Sequence, residues 1–101
     1  MDKKFLKKLI SIGHKLSPLL RISKNGLSES ILNELNRALN DHELIKIKIV
    51  AAKEERSQIS LVIEKLPETI IVQSIGGVLL VYRPSNQSNQ KLSNIYRSEK
   101  Q

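Results

Sequence analysis

The sequence has 101 residues, of which 40% are hydrophobic and 27% charged, with 17 Lys and Arg against 10 Asp and Glu. This length fits one domain with its own core. Because there is no cysteine and the two histidines have no metal-ligand spacing, disulfides and thiolate zinc sites are excluded, and we expect no metal and no cofactor. No apolar run is long enough for a secretory signal or a membrane span, so we expect a cytoplasmic protein.

The first predicted element is an amphipathic helix from about Asp2 to about His14. At about 100° per residue, four of its side chains fall within one arc of about 140°. All four are lysines: Lys3, Lys4, Lys7 and Lys8. The opposite side is apolar and includes Phe5 and Leu9, which we expect to pack against the domain. An interfacial membrane helix has the same pattern, but it would expose Phe5 and Leu9.

A short strand, Pro18 to Ile22, is predicted next, followed by a loop of four residues: Ser23, Lys24, Asn25 and Gly26. The loop leads into a second helix, from about Ser28 as N-cap to Asn40. Free N–H groups and a positive dipole at a helix N-terminus favour a phosphate, and small side chains let a nucleic-acid backbone come close. An ordinary turn has the same composition, so the loop alone leaves both interpretations open.

Four further elements are predicted as strand, helix, strand and strand: Leu44–Val50, Lys53–Leu66, Thr69–Ile75 and Val78–Arg83. The fold class is therefore α/β, as an α+β two-layer domain of order α-β-α-β-α-β-β with a mixed four-stranded sheet. Two strand–helix–strand units imply parallel pairing, and the terminal hairpin adds an antiparallel strand. The last strand is apolar on both faces and is expected inside the sheet. We expect residues 1–84 to form the domain and the polar residues 85–101 to form a flexible tail.

The positive charge is concentrated at one end of the sequence. Residues 1–26 contain seven Lys and Arg and one Asp, so they carry +6 of the net charge of +7. A localised positive field favours a polyanionic partner. The bases of this segment are Lys3, Lys4, Lys7, Lys8, Lys15, Arg21 and Lys24, and further candidates on the sheet are Lys46, Lys48 and Arg83. A basic membrane-surface module and a protein-interaction module that binds an acidic partner are the alternatives.

Four segments resemble the CRM domain family, and in particular its bacterial single-domain, YhbY-like members: 16–28, 38–48, 72–76 and 80–84. The resemblance implies a fold similar to the C-terminal domain of translation initiation factor three. It also implies RNA binding through a G-x-x-G loop and an adjacent basic surface, and association with precursors of the large ribosomal subunit. By position this loop is Ser23 to Gly26, with Ser23 in place of the first glycine.

No arrangement typical of an enzyme is visible in the sequence. His42 and Glu43 stand where the second helix meets a strand, and they have no nearby nucleophile, so we expect a capping or turn role. Paired carboxylates, a Ser-His-Asp arrangement and a P-loop are not evident. We therefore do not expect an enzyme. With the CRM resemblance, which implies RNA binding and ribosome assembly, we expect a monomeric RNA-binding ribosome-assembly factor.

Overall fold

In the part of the chain that the structure describes, three helices and four strands follow one another in the predicted order. The computed structural model describes residues 2–84 and 93–95. The elements are α1 (Lys3–Gly13), β1 (Pro18–Ser23), α2 (Glu29–His42), β2 (Leu44–Val50), α3 (Lys53–Glu64), β3 (Ile70–Ile75) and β4 (Val78–Tyr82). The predicted bounds agree to within two residues. Within the described ranges, no helix is both long and apolar enough to span a bilayer.

Hydrogen bonds cap the N-termini of α1 and α2 and the C-terminus of α2. The Asp2 carboxylate accepts a hydrogen bond from the Lys4 N–H at 3.0 Å. The Ser28 hydroxyl accepts one from the N–H of Ile31 at 3.2 Å, which confirms Ser28 as the N-cap of α2. Glu43 is the C-cap of α2, with a φ of 64°, and its N–H donates to the Leu39 carbonyl. The expected capping role at the junction of α2 and β2 is therefore confirmed for Glu43.

The sheet has the strand order β1-β2-β4-β3. β1 pairs with β2 in parallel, and β4 is antiparallel to both β2 and β3. The expected parallel pairing of the second strand–helix–strand unit is wrong, because β4 lies between β2 and β3. The predicted central position of β4 is confirmed, and it follows from an apolar strand whose residues Leu79, Leu80 and Val81 are all buried.

The sheet separates two apolar cores. On one face, α2 and α3 cover the inward side chains of β2, namely Ile45, Ile47 and Ile49. On the other face, called the α1 face here, Leu9 and Ile12 of α1 pack with Leu44 and Leu80. At Gly13 an added Cβ would lie 2.6 Å from a Leu80 methyl, so a side chain there would require the buried Leu80 side chain to move. The predicted packing of α1 against the domain is confirmed, and α2 and α3 lie together on the opposite face.

Residues 93–95 contact the end of the sheet where β2 begins. Ser93 is 1% exposed, and its hydroxyl donates to the Glu43 carboxylate at 2.7 Å. The Asn94 side-chain amide donates to the Leu44 carbonyl at 2.7 Å, and Ile95 packs with the core beneath α1. The rest of the predicted flexible tail, residues 85–92 and 96–101, lies outside the described residues. The flexibility and the boundary of the 85–101 tail stay predictions.

Candidate nucleic-acid interface

The loop from Ser23 to Gly26 forms a hydrogen-bonded turn at the carboxyl end of β1. The Gly26 N–H donates to the Ser23 carbonyl at 2.9 Å. Gly26 has a φ of +83°, in the region that favours glycine, and a Cβ built on it would meet nothing within 4 Å. The space beside Gly26 is therefore open, and the loop backbone can be approached closely at this residue.

Ser23 occupies the position of the first loop glycine without backbone strain. Among the described residues, the only non-glycines with a positive φ are Glu43 and Glu68. The Ser23 hydroxyl also accepts a hydrogen bond from the Asn25 N–H at 3.3 Å. Serine at this position therefore stabilises the turn and does not distort it.

The N-terminus of α2 is less open to an anion than an uncapped helix end would be. Leu27 and Ser28 separate the loop from the helix, and the Ser28 hydroxyl already binds one of the first helical N–H groups. Glu29 adds a carboxylate in the first turn. At this end of the domain the exposed side chain of Lys24 is therefore the main group available to attract an anion.

The lysines of α1 lie on its outer side. Lys3, Lys4 and Lys7 are exposed and Lys8 is partly buried. On the inner side Leu9 is 0% exposed, and the Phe5 ring meets the Tyr82 ring edge-on at 5.4 Å between centroids. The expected packing of Phe5 and Leu9 against the domain is confirmed, and the alternative of an interfacial membrane helix, which would expose both side chains, is not supported for α1.

The loop and α1 lie at different ends of the sheet. α1 packs over Leu44, at the start of β2, whereas Ser23 pairs with Val50, at the end of β2. Six residue steps at about 3.3 Å place these two ends about 20 Å apart. The exposed Lys15 follows α1 and the exposed Arg21 lies on β1. The basic residues of α1 and of the loop, which are close in the sequence, therefore do not form a single cluster in the structure.

Basic side chains on β1 and β2 lie between these two ends. Arg21 pairs in register with Lys48, and both project from the α1 face, because their neighbours Ile22 and Ile49 are buried beneath α2 and α3. Lys46 lies on the same face, and its ammonium group donates to the Leu16 carbonyl at 3.2 Å. Arg21 and Lys48 thus extend the positive surface from the loop toward α1.

A model of the CRS1/YhbY (CRM) domain family matches residues 1–83. The chain belongs to this family. A protein of Pseudomonas aeruginosa named as a probable RNA-binding protein is 48% identical to this CRM domain over 94 residues, covering 90% of this chain and 88% of the relative. A Haemophilus influenzae protein named as an RNA-binding protein is 41% identical over 92 residues, covering 90% of each chain.

The fold of the CRM domain is also found in a solved structure. The solution structure of the Staphylococcus aureus protein SAV1595 matches with a TM-score of 0.71 at 24% identity. The match covers 85% of this chain and 91% of that chain. The α+β architecture of the CRM domain is therefore shared with this protein.

Arg83, a candidate from the sequence, is engaged within the CRM domain. Its guanidinium donates to the Thr69 hydroxyl at 3.0 and 3.1 Å and to the Asn36 side-chain oxygen at 2.8 Å. Burial lowers the pKa of Arg83, while the carboxylate of Glu68 acts in the opposite direction. Arg83 therefore joins α2 to the segment before β3, which is a structural role.

Proposed function

We propose that this CRM domain binds RNA, and that it does so as a monomeric cytoplasmic factor in the assembly of the large ribosomal subunit. Membership of the family and the names of the two bacterial relatives support RNA binding. The ribosomal part rests on the resemblance to YhbY-like proteins.

The observation that carries this proposal is the geometry of the loop. Gly26 leaves open space beside the backbone, and the exposed Lys24 places a cation two residues away. A phosphate can therefore approach the loop backbone at Gly26 and be neutralised by Lys24, and the release of its counterions favours binding at low salt.

We expect the protein to recognise RNA mainly by contacts with the RNA backbone. Two of the three aromatic residues, Phe5 and Tyr82, pack against each other and not toward the loop. Stacking of bases on aromatic rings, which is common in sequence-specific RNA binding, is therefore not available from these two side chains. We propose that phosphate contacts and RNA shape dominate.

Fractionation of a lysate on a sucrose gradient tests the proposal, followed by crosslinking and sequencing of any RNA attached to the tagged chain. We expect the chain to sediment with particles that contain large-subunit precursor RNA, and a Lys24→Gln variant to be depleted from them. A chain that stays at the top of the gradient without crosslinked RNA would contradict RNA binding. Crosslinks to RNA of another class would retain RNA binding and overturn the ribosomal role.

A further inference from the structure

One row of side chains crosses all four strands on the α1 face, at the end of the sheet nearest the loop. Arg21 pairs with Lys48, Lys48 with Val78, and Val78 with Ile75. Paired residues project from the same face of a sheet, and neighbouring strands are about 4.8 Å apart, so the row is about 14 Å long. We call these four residues the open row.

α1 does not cover the open row. The residues packed beneath α1 belong to the other half of the sheet, around Leu44 and Tyr82. Ile75 is 66% exposed and Arg21 is exposed, and neither Val78 nor Ile75 belongs to either apolar core. The open row is therefore accessible to a ligand of the folded domain.

The two halves of the open row differ in chemistry. Arg21 and Lys48 form a cationic half on β1 and β2, and Arg21 lies two residues before the loop. A guanidinium binds a phosphate through two parallel hydrogen bonds, and an ammonium binds it as a point charge. A backbone held at the loop can therefore continue over this half with its phosphates neutralised.

The other half is aliphatic, with Val78 and Ile75 on β4 and β3 and the exposed Val50 close to the same end of the sheet. Such side chains gain free energy when they cover the apolar face of a base. In a duplex the base faces are stacked inside the helix, and only phosphates and groove edges are accessible. The aliphatic half therefore favours unpaired bases.

We propose that the open row is a subsite for single-stranded RNA, in which Arg21 and Lys48 bind phosphates and Val78 and Ile75 contact unpaired bases. This inference rests on the proposed RNA binding. Aliphatic side chains form no directional contacts with base edges, so the subsite discriminates strandedness and not base identity.

The experiment compares an unstructured RNA oligonucleotide with a duplex of the same sequence by fluorescence anisotropy. We expect Ile75→Ser to weaken binding of the single strand by about threefold to tenfold, because apolar burial is lost, and to leave duplex binding unchanged. Leu61→Ser is the matched control, since Leu61 is 54% exposed but lies on α3. For the single strand, the double variant Arg21→Gln/Lys48→Gln should lower the slope of log K against log salt concentration by about 1.4.

The Tm of each variant is measured by thermal denaturation to check that it folds. If Ile75→Ser does not fold, Val78→Thr carries the same test, because it keeps the shape of the side chain and its preference for a strand. Equal single-strand affinities for the parent, Ile75→Ser and Leu61→Ser would overturn the open row as a subsite. A parent chain that binds neither RNA would overturn the proposed function as well. Unchanged RNA binding with an altered oligomeric state would instead identify the face as a contact between copies.

Discussion

Replacement of Gly26 separates the conformational role of this glycine from its role in ligand approach. Its φ of +83° disfavours a side chain, and an added Cβ would meet nothing within 4 Å, so Gly26→Ala introduces backbone strain and no clash within the domain. We expect Gly26→Ala to reduce the free energy of unfolding by about 1–2 kcal/mol. For a domain of this size this corresponds to a decrease in Tm of roughly 4–8 °C per kcal/mol.

Gly26→Asn is the matched variant, because asparagine tolerates the left-handed region better than alanine does. It should retain most of the stability, yet its side chain still occupies the open space. If a phosphate approaches the loop backbone at Gly26, the added side chain keeps it at a distance in both variants, and RNA binding weakens about tenfold or more.

Urea denaturation and anisotropy with a labelled RNA oligonucleotide measure the two effects separately. We expect the free energy of unfolding to differ between Gly26→Ala and Gly26→Asn, whereas the loss of RNA binding should be similar. Parent-like RNA affinity in a stable Gly26→Asn variant would refute close approach at Gly26 and leave only the role in the turn.

Three further predictions concern α1 and its contacts. The first replaces three exposed lysines, Lys3, Lys4 and Lys7, by glutamine. This should lower the slope of log K against log salt for single-strand binding by up to about 2 if all three contact phosphates. Titrations at several salt concentrations measure the slope, and an unchanged slope would remove α1 from the interface. Leu9→Ala creates a cavity beneath α1 and should cost about 2–5 kcal/mol in urea denaturation, whereas a cost below about 1 kcal/mol would contradict the packing of α1. Burial raises the pKa of the Tyr82 hydroxyl. Tyr82 therefore contributes to the free energy of unfolding below about pH 10, and this contribution is lost as the pH rises above that value. Tyr82→Phe should reduce this loss of stability at alkaline pH.

Local patterns in the sequence predicted the elements well. The strict alternation from Leu44 to Val50 identified β2 with its observed bounds, and the Ser28 cap identified the start of α2 to within one residue. These features depend on side-chain periodicity and on hydrogen bonds between near neighbours, which are visible in the sequence alone.

Pairing between distant strands was less predictable. β4 was expected inside the sheet because it is apolar on both faces, but its insertion between β2 and β3 depends on which strands the hairpin joins. The position of the basic residues on the α1 face was also less predictable. Alternation places Lys48 opposite the core beneath α2 and α3, yet only the position of α1 and the register with Arg21 show that Lys48 lies in an accessible row.

Crosslinking of the folded chain to RNA, with identification of the crosslinked peptides by mass spectrometry, tests the central claim most directly. We expect crosslinks in the loop from Ser23 to Gly26 and in the open row at Lys48 and Ile75. All of them should be absent when the RNA is omitted. Crosslinks confined to the outer surfaces of α2 and α3, with none at the loop or the open row, would contradict it.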